Sequence, residues 1–268
     1  MKAARVLIVC VALACVPAAS ASNCSSAQDA VDPIEADRPG LSDPPAVLKN
    51  RVAQLEVGIE LTHVGPNRDE RSMPVTAFRY GFGHGVEGRV ITDGFIGMTD
   101  TARGRTIWGR ADTSLGAKIM LADQCRHHVD LTAIPFVSVP VGSDGVSSGH
   151  VDPAVKLTWQ RLLPHKFQTA GEAVIASDSD EQGHLWQRGV GLGLSRDLWW
   201  GVNGFGEIHA SAPAERNSGA DWTFDTGVSR GMTTDLQLDI SVGRGLSTAA
   251  SDWFLAAGVV IRHRPTRE

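Results

Sequence analysis

Apolar and polar residues alternate strictly along the stretch QLEVGIELTHV, residues 54–64. The apolar positions are Leu55, Val57, Ile59 and Leu61, and the positions between them are Glu56, Gly58, Glu60 and Thr62. Because successive side chains of a β-strand point to opposite faces, this period of two residues predicts a strand. One face of that strand is wholly apolar, and the other face carries two carboxylates.

The same period recurs through most of the chain after residue 50. The clearest repeats are TSLGAKIML (113–121), PAVKLTWQ (153–160), WQRGVGLGLS (186–195), WTFDTGVS (222–229), LQLDISVG (236–243) and WFLAAGVVIR (253–262). Further strands are predicted near residues 74–82, 86–94, 129–140, 167–176 and 199–209. The pattern therefore predicts about twelve strands of roughly 8–12 residues each.

The segments between these strands alternate in length. The longer, polar ones are residues 65–72, 95–112, 141–152, 177–184, 211–221 and 244–252. The shorter ones are residues 83–85, 123–128, 163–166, 196–198 and 230–235. An even number of strands with short turns at one end and long loops at the other is typical of an up-and-down antiparallel transmembrane β-barrel of the outer-membrane type.

A soluble β-sandwich or lipocalin-like barrel would show the same alternation, with its apolar face turned inward. Three features favour the membrane barrel: an export signal, polar faces rich in glycine, serine and threonine, and tryptophans near the strand ends. These tryptophans are Trp186, Trp199, Trp200, Trp222 and Trp253. Tryptophan is enriched where a membrane protein meets the lipid–water interface. We therefore expect a single barrel over residues 51–264, located in the cell outer membrane.

The N-terminus reads as a signal peptide over residues 1–21. Lys2 and Arg5 precede the apolar run VLIVCVALACV, and Ala19-Ser20-Ala21 supplies a cleavage sequence. An anchor helix is disfavoured because the run is too short to span a bilayer. Residues 22–50 contain four prolines among small polar residues, which exclude a regular helix or strand. We expect an irregular, proline-rich arm in the periplasm.

The composition limits the kinds of partner that the protein is expected to bind. The formal net charge of −5 and the lack of a basic cluster with interleaved aromatics argue against nucleic-acid binding. Expected partners are outer-membrane lipid, a small hydrophobic solute and, during biogenesis, the barrel-assembly machinery.

Two cysteines, Cys24 and Cys125, remain after the predicted cleavage. Exported chains meet an oxidising compartment, in which such a pair forms a disulfide or stays as two thiols. If the N-terminus and the short turns are both periplasmic, Cys24 and the turn of Cys125 lie on the same side. The prediction is a disulfide that tethers the arm to the rim of the barrel.

The charged residues of the polar faces form the candidate site, because the strand register predicts that they line the lumen. They are Glu56, Glu60, Arg79, Glu87, Arg89, Asp93, Lys118, Lys156, Glu172, Glu207, Asp225, Asp239 and Arg262. A basic side chain on the lipid face at mid-bilayer costs about 2–4 kcal/mol, so a shift of register by one residue is disfavoured. The mixed signs fit either a salt-bridged interior that braces the barrel or a polar pathway with weak ion preference.

Other motifs give weaker evidence of a function than the charged residues of the lumen. Gly83-x-Gly85-x-x-Gly88 matches a dinucleotide fingerprint, but a strand follows it instead of the required helix, so a hairpin turn is predicted. His127 and His128 lack the spacing of a metal site, and no cofactor or metal is predicted. Rim residues such as His209 and Ser211, or His63 and His184, leave open a lipid hydrolase near one end of the barrel, although simple polarity of the rim is the favoured explanation.

Several segments resemble one family in their order along the chain. They are EADRPGLSDPP (35–45), QLEVGIELTHV (54–64), FRYGF (78–82), DTSLGAKIML (112–121), IPFVSVPVGS (134–143), PAVKLTWQ (153–160), LQLDISVGRGL (236–246) and DWFLAAGVVIR (252–262). The chain resembles the outer-membrane β-barrel family named after the meta-pathway of phenol degradation. The resemblance implies a barrel that takes up small hydrophobic compounds, and it supplies no catalytic residues. The sequence departs from such barrels after Arg262, where His263 stands instead of a terminal aromatic residue.

The function expected from these observations is passive transport of small, hydrophobic or aromatic molecules, without enzyme activity. A structural or interaction protein of the outer membrane with a plugged lumen is the alternative. A lipid hydrolase at the rim is the third class.

Overall fold

A computed structural model describes residues 33–180, 183–212 and 219–265. The predicted signal peptide, the first part of the arm and Cys24 lie outside the described residues. The predicted disulfide from Cys24 to Cys125 therefore remains a prediction.

The described chain is almost entirely β-structure. Its strands are β1 Ala53–His63, β2 Arg68–Gly83, β3 Val86–Thr92, β4 Phe95–Asp100, β5 Arg105–Arg110, β6 Thr113–Ala122, β7 Asp130–Val139, β8 Asp152–Leu162, β9 Phe167–Asp180, β10 Gly183–Asp197, β11 Val202–Ser211, β12 Asp221–Thr233, β13 Leu236–Gly245 and β14 Trp253–His263. One short helix, α1 Gln124–His127, and one 3₁₀ turn, Pro164–Lys166, lie in the connections.

Twelve of these strands form a closed antiparallel ring. Neighbouring strands pair in chain order, except that β3 pairs directly with β6, and β1 pairs with both β2 and β14 to close the ring. In the β1–β14 pair, for example, Gly58 lies opposite Gly258. The predicted twelve-stranded up-and-down barrel is confirmed.

The segment predicted as a long loop over residues 95–112 instead forms the β4–β5 hairpin, which stands outside the ring. Strand β2 has 16 residues, and only its second half pairs with β3. Its first half, Arg68–Met73, pairs with β4. The free hydrogen-bonding edge of a long strand thus finds a partner in the next segment of chain. The predicted loop over 177–184 is also shorter, because β9 continues to Asp180 and β10 begins at Gly183.

Apolar side chains cover the outside of the ring, and charged ones are buried inside it. On β13, Leu238, Ile240 and Val242 are each close to half exposed, while Asp239 and Ser241 between them are buried. A soluble barrel would show the opposite arrangement. Within the described residues, no helix is both long and apolar enough to cross a membrane. The apolar exterior is therefore the surface that faces lipid.

The short turns gather at one end of the barrel. The glycine-rich motif forms the tight β2–β3 turn, in which Gly83, His84 and Gly85 all have positive φ angles. His127 and His128 are exposed in and just after α1, between β6 and β7. Cys125 lies on the same helix and is exposed.

A lysine on the lipid face should destabilise the barrel according to its depth. Ile240 is 48% exposed near the middle of β13, and we expect Ile240→Lys to lower the free energy of unfolding by about 2–4 kcal/mol. Leu246→Lys, in the loop after β13, should cost no more than about 1 kcal/mol. Urea unfolding in lipid vesicles measures both, and equal effects of the two substitutions would contradict the assignment of the lipid face.

Candidate functional site

Residues 33–50 run inside the barrel, although the sequence analysis places this arm in the periplasm. Both ends of the segment lie at the short-turn end. At its start, Arg262 Nη1 donates to the Pro33 carbonyl oxygen (3.0 Å), and at its end Asn50 packs against the β2–β3 turn at Gly83. Between these ends the arm reaches about halfway up the lumen, where Ser42 lies against Gly191 of β10. The described part of the arm is therefore a plug; we call residues 33–50 the plug from here on.

The charges of the wall explain why the plug lies inside. A desolvated charge needs an oppositely charged or hydrogen-bonding partner. The plug supplies both, because its prolines prevent regular structure and leave its carbonyl and N–H groups unpaired by any strand.

Arg79 of β2 is the centre of the contact network, and its side chain is 0% exposed. Its guanidinium donates to Glu56 of β1 (3.0 Å) and to Glu87 of β3 (2.8 and 3.0 Å). It also donates to the plug carbonyls of Glu35 (3.0 Å) and Ala46 (3.1 Å). A single side chain thus joins three strands of the wall to both limbs of the plug.

Asp37 is the first of two plug carboxylates that neutralise cations of the wall. Lys118 Nζ lies 2.6 Å from one of its oxygens, Arg79 Nη1 lies 3.2 Å away, and Arg89 donates to the other oxygen. Its own backbone N–H donates to Glu56 (3.0 and 3.1 Å). Asp37 therefore satisfies charges of both signs on the wall.

Asp43 is the second plug carboxylate. Lys156 Nζ donates to it (2.7 Å), Arg89 Nη2 donates to its other oxygen (2.9 Å), and its backbone N–H donates to Glu172 (3.0 Å). Arg89 consequently bridges Asp37 and Asp43, which lie six residues apart in the plug.

Backbone groups of the plug satisfy the remaining wall side chains. Glu207 accepts the N–H groups of Leu41 and Ser42, and Glu87 accepts that of Leu48 (2.8 Å). On the donor side, Lys118 donates to the Pro44 carbonyl (2.7 Å) and Thr132 to the Pro45 carbonyl (2.7 Å). These bonds involve strands from several sides of the barrel, so the plug is held around its circumference.

Arg38 lies against the wall where two glycines meet. A Cβ atom at Gly58 or at Gly258 would collide with its guanidinium, and the two glycines are paired across β1 and β14. The carboxylate of Asp239 lies 3.4 Å from Arg38 Nη2. The glycines of the polar faces thus provide room for the plug.

Most of the predicted lumen residues meet the plug in this way. Those in contact are Glu56, Arg79, Glu87, Arg89, Lys118, Lys156, Glu172, Glu207, Asp239 and Arg262. Three others lie elsewhere. Glu60 accepts from Thr62 (3.2 Å), Asp93 is exposed at the β3–β4 junction, and Asp225 is buried opposite Glu207 on the neighbouring strand.

Sequence reasoning missed the plug side of the site, namely Asp37, Arg38 and Asp43. A signal was present, because EADRPGLSD places charges of both signs in a segment that cannot form a strand of its own. Among the predicted lumen residues, Glu56 and Arg79 form an ion pair with each other, whereas Arg89 binds the plug.

The plug carboxylates have lowered pKa values. Burial alone would raise the pKa of Asp43, but the Lys156 ammonium and the Arg89 guanidinium outweigh it and hold the pKa well below its usual range. Burial likewise opposes the cations around Asp37, and Arg79, Arg89 and Lys118 lower its pKa. Both groups are therefore ionised at neutral pH, where they neutralise the wall.

Removing the Arg79 guanidinium should strongly destabilise the protein, because Glu56 and Glu87 would keep buried charges without it. We expect Arg79→Met to lower the free energy of unfolding by about 3–5 kcal/mol. Arg103→Met is the matched control, since Arg103 is 83% exposed and, within the described residues, pairs with Asp100 alone, and it should cost less than about 1 kcal/mol. Urea unfolding in vesicles compares them, and similar losses would show that Arg79 is not a centre of the network.

The stabilisation by Asp37 and Asp43 should depend on pH in one direction. A carboxyl group with a lowered pKa stabilises fully above its unfolded pKa of about 4, and the effect disappears as the pH falls through the folded pKa. The difference in unfolding free energy between the wild type and Asp37→Asn/Asp43→Asn should stay constant from about pH 7 to about pH 5 and shrink only below about pH 4. A difference that already disappears near pH 6 would contradict the pairing.

Solved structures share this fold at low sequence identity. An outer membrane channel from Pseudomonas putida F1 has a TM-score of 0.64 and 13% identity, covering 84% of this chain and 99% of that one. The KdgM porin has a TM-score of 0.53 and 8% identity, over 79% of this chain and 99% of its own. The NanC porin has a TM-score of 0.52 and 8% identity, over 78% and 98%. No curated protein matches the chain by sequence.

The barrel fold and the apolar exterior place the protein in an outer membrane. A family model with the description "Putative MetA-pathway of phenol degradation" matches residues 36–263, which include most of the plug and every strand of the ring. The chain belongs to this family of outer-membrane β-barrels.

Proposed function

We propose that the chain is a passive outer-membrane channel for small molecules, in which the plug sets the width of the lumen. The observation that carries the proposal is the chemistry of the plug contacts. The bonds that tie residues 33–50 to the wall are hydrogen bonds and ion pairs, as at Asp37, Asp43 and Leu48. Water can replace such contacts, so the net free energy of each is modest.

The plug occupies only the half of the lumen that lies next to the short turns. It enters from the short-turn end and reaches about the middle of β10, where Ser42 lies against Gly191. A shift of the plug toward its own end would therefore open a path without breaking a strand pair of the ring. No energy source is needed, since the solute would diffuse down its gradient.

The walls of the path carry both signs of charge. Arg89, Lys118 and Lys156 lie among Glu87, Glu172 and other carboxylates, which gives little reason for strong cation or anion selectivity. A small neutral solute fits such a path. The family description and the resemblance of the sequence add support for hydrophobic or aromatic solutes.

A structural protein with a permanently closed lumen is the second candidate, and one observation favours it. Arg79 and Lys118 are both fully buried and paired with the plug, and breaking one partner of a buried pair is costly. A disulfide between Cys24 and Cys125, if formed, would tether the arm to the short-turn end and favour the same reading.

A lipid hydrolase at the rim is less supported. His209 and Ser211 are two residues apart on β11 and share a face, yet among the described residues no hydrogen bond joins them. A serine nucleophile requires such a bond to its base. The side chain of His184 lies outside the described residues.

Loosening the plug should raise conductance if the protein is a channel. Asp37→Asn/Asp43→Asn removes two charges from the plug, takes the paired carboxylates from Arg89 and Lys118, and leaves Lys156 paired with Glu172 of the wall. Each loss of about 1.4 kcal/mol in plug stability raises the open fraction about tenfold. The measurement is single-channel recording of the full chain in planar bilayers, together with release of a small neutral aromatic solute from vesicles.

The control is Asp144→Asn, which changes an exposed carboxylate in the loop between β7 and β8. It should behave like the wild type. If the wild type and the double variant both remain closed to ions and to the solute, the channel proposal is wrong and the structural reading stands.

A further inference from the structure

A groove on the outside of the barrel is separate from the lumen. It has a volume of about 860 Å³ and is lined by apolar side chains, glycines and a proline. The lining residues that matter here are Val57 and Ile59 of β1, Val259 of β14, Met73 of β2, and Phe95 and Trp108 of the β4–β5 hairpin. Val57 and Ile59 belong to the lipid face, so the groove is open to the membrane.

The hairpin makes this part of the wall concave. The β1–β2 register shifts between Gly58 and Glu60, at the level where β2 exchanges β3 for β4 as its partner. Beyond that level, the indole of Trp108 lies across Gly97, whose Cβ would be 2.8 Å from the ring. The first half of β2 and the β4–β5 hairpin thus turn away from the ring, and together with β1 they form a concave apolar surface.

Arg71 shares the outward face of this surface. It lies opposite Leu61 of β1 on one side and opposite Gly97 of β4 on the other, and Trp108 lies across that glycine. Met73, two residues further along the same face, lines the groove. Arg71 is exposed, and within the described residues it makes no hydrogen bond or ion pair. The guanidinium of Arg71 therefore lies, without a partner among the described residues, at the long-loop end of an apolar groove.

The other charged groups of this face are already engaged. The carboxylate of Asp69 lies 2.6 Å from His63 Nδ1, and His63 also approaches Asp252 (3.7 Å). The guanidinium of Arg110 donates twice to the Val141 carbonyl (3.0 and 2.6 Å). Arg71 is thus the cation at the border of the groove that has no protein partner within the described residues.

We propose that this groove binds one phosphate-bearing glycolipid of the outer leaflet. An acyl chain would lie along Ile59, Phe95 and Trp108, and a phosphate would accept two hydrogen bonds from Arg71. A planar guanidinium matches phosphate geometry with two parallel N–H bonds. The apolar groove by itself would hold the acyl chain of any lipid. Arg71, however, lies at the long-loop end of the groove, where the phosphate of an outer-leaflet glycolipid would lie when its acyl chain occupies the groove.

Binding of purified full-length protein to bis-phosphorylated lipid A, measured by native mass spectrometry in detergent, tests the proposal. We expect Arg71→Gln to lower the affinity for lipid A about tenfold, the loss of one charged double hydrogen bond. Ala257 of β14 also lines the groove, and Ala257→Trp, which fills it, should reduce the affinity at least as much. Heat-modifiable gel migration verifies that each variant is folded.

Two matched controls separate this site from general lipid contact. Arg105→Gln removes a charge from the opposite face of the same hairpin, and Ile261→Trp enlarges a side chain on the same face of β14 outside the groove; neither should change lipid A binding. Phosphatidylethanolamine should bind at least tenfold more weakly than lipid A. Wild-type affinity in Arg71→Gln, an equal loss in Arg105→Gln, or equal binding of phosphatidylethanolamine would overturn the proposal. Conductance plays no part in these readouts, so failure of the channel proposal leaves them unaffected.

Discussion

The absence of water in the hydrocarbon core is the constraint from which the rest of the structure follows. Every backbone N–H and C=O group of a spanning strand must find a partner in the protein, and a closed ring provides one for each. The closure of β1 onto both β2 and β14 is that solution. The same constraint sends the charged side chains of each strand inward, because a charge on the lipid face is costly. Inside, however, those charges face one another across a narrow lumen, and they need partners of their own.

The plug answers this second requirement. It is built from prolines and small residues, so it can follow a path that no helix or strand could take. Asp37 and Asp43 neutralise cations from several strands, while the backbone N–H groups nearby neutralise carboxylates. Glycines on the inward faces, such as Gly58 and Gly258, leave the space it needs. Wall and plug therefore neutralise each other's charges. The same contacts would brace a permanently closed barrel or, if the plug moves, control the opening of a channel.

The β4–β5 hairpin shows how a local departure from the ring creates a new surface. A strand longer than its neighbour must pair its extra residues, and β2 does so with the hairpin. The bend that follows brings Phe95 and Trp108 against the outer wall and leaves Arg71 facing lipid. A feature that begins as hydrogen-bond pairing thus ends as a chemically distinct groove, with apolar walls and a cation at its edge.

The sequence by itself determined the period of the strands, their number in the ring, and which face of each strand is charged. These properties are local, since alternation along a strand assigns each side chain to a face without knowledge of its neighbours. It also supported the family, through segments such as DTSLGAKIML. Only the tertiary structure decided where the plug lies, that residues 95–112 form a hairpin, and which charges pair. Contacts such as Lys118 with Asp37 join residues 81 positions apart, and no local pattern encodes which of several inward cations lies beside a given carboxylate once the ring has closed.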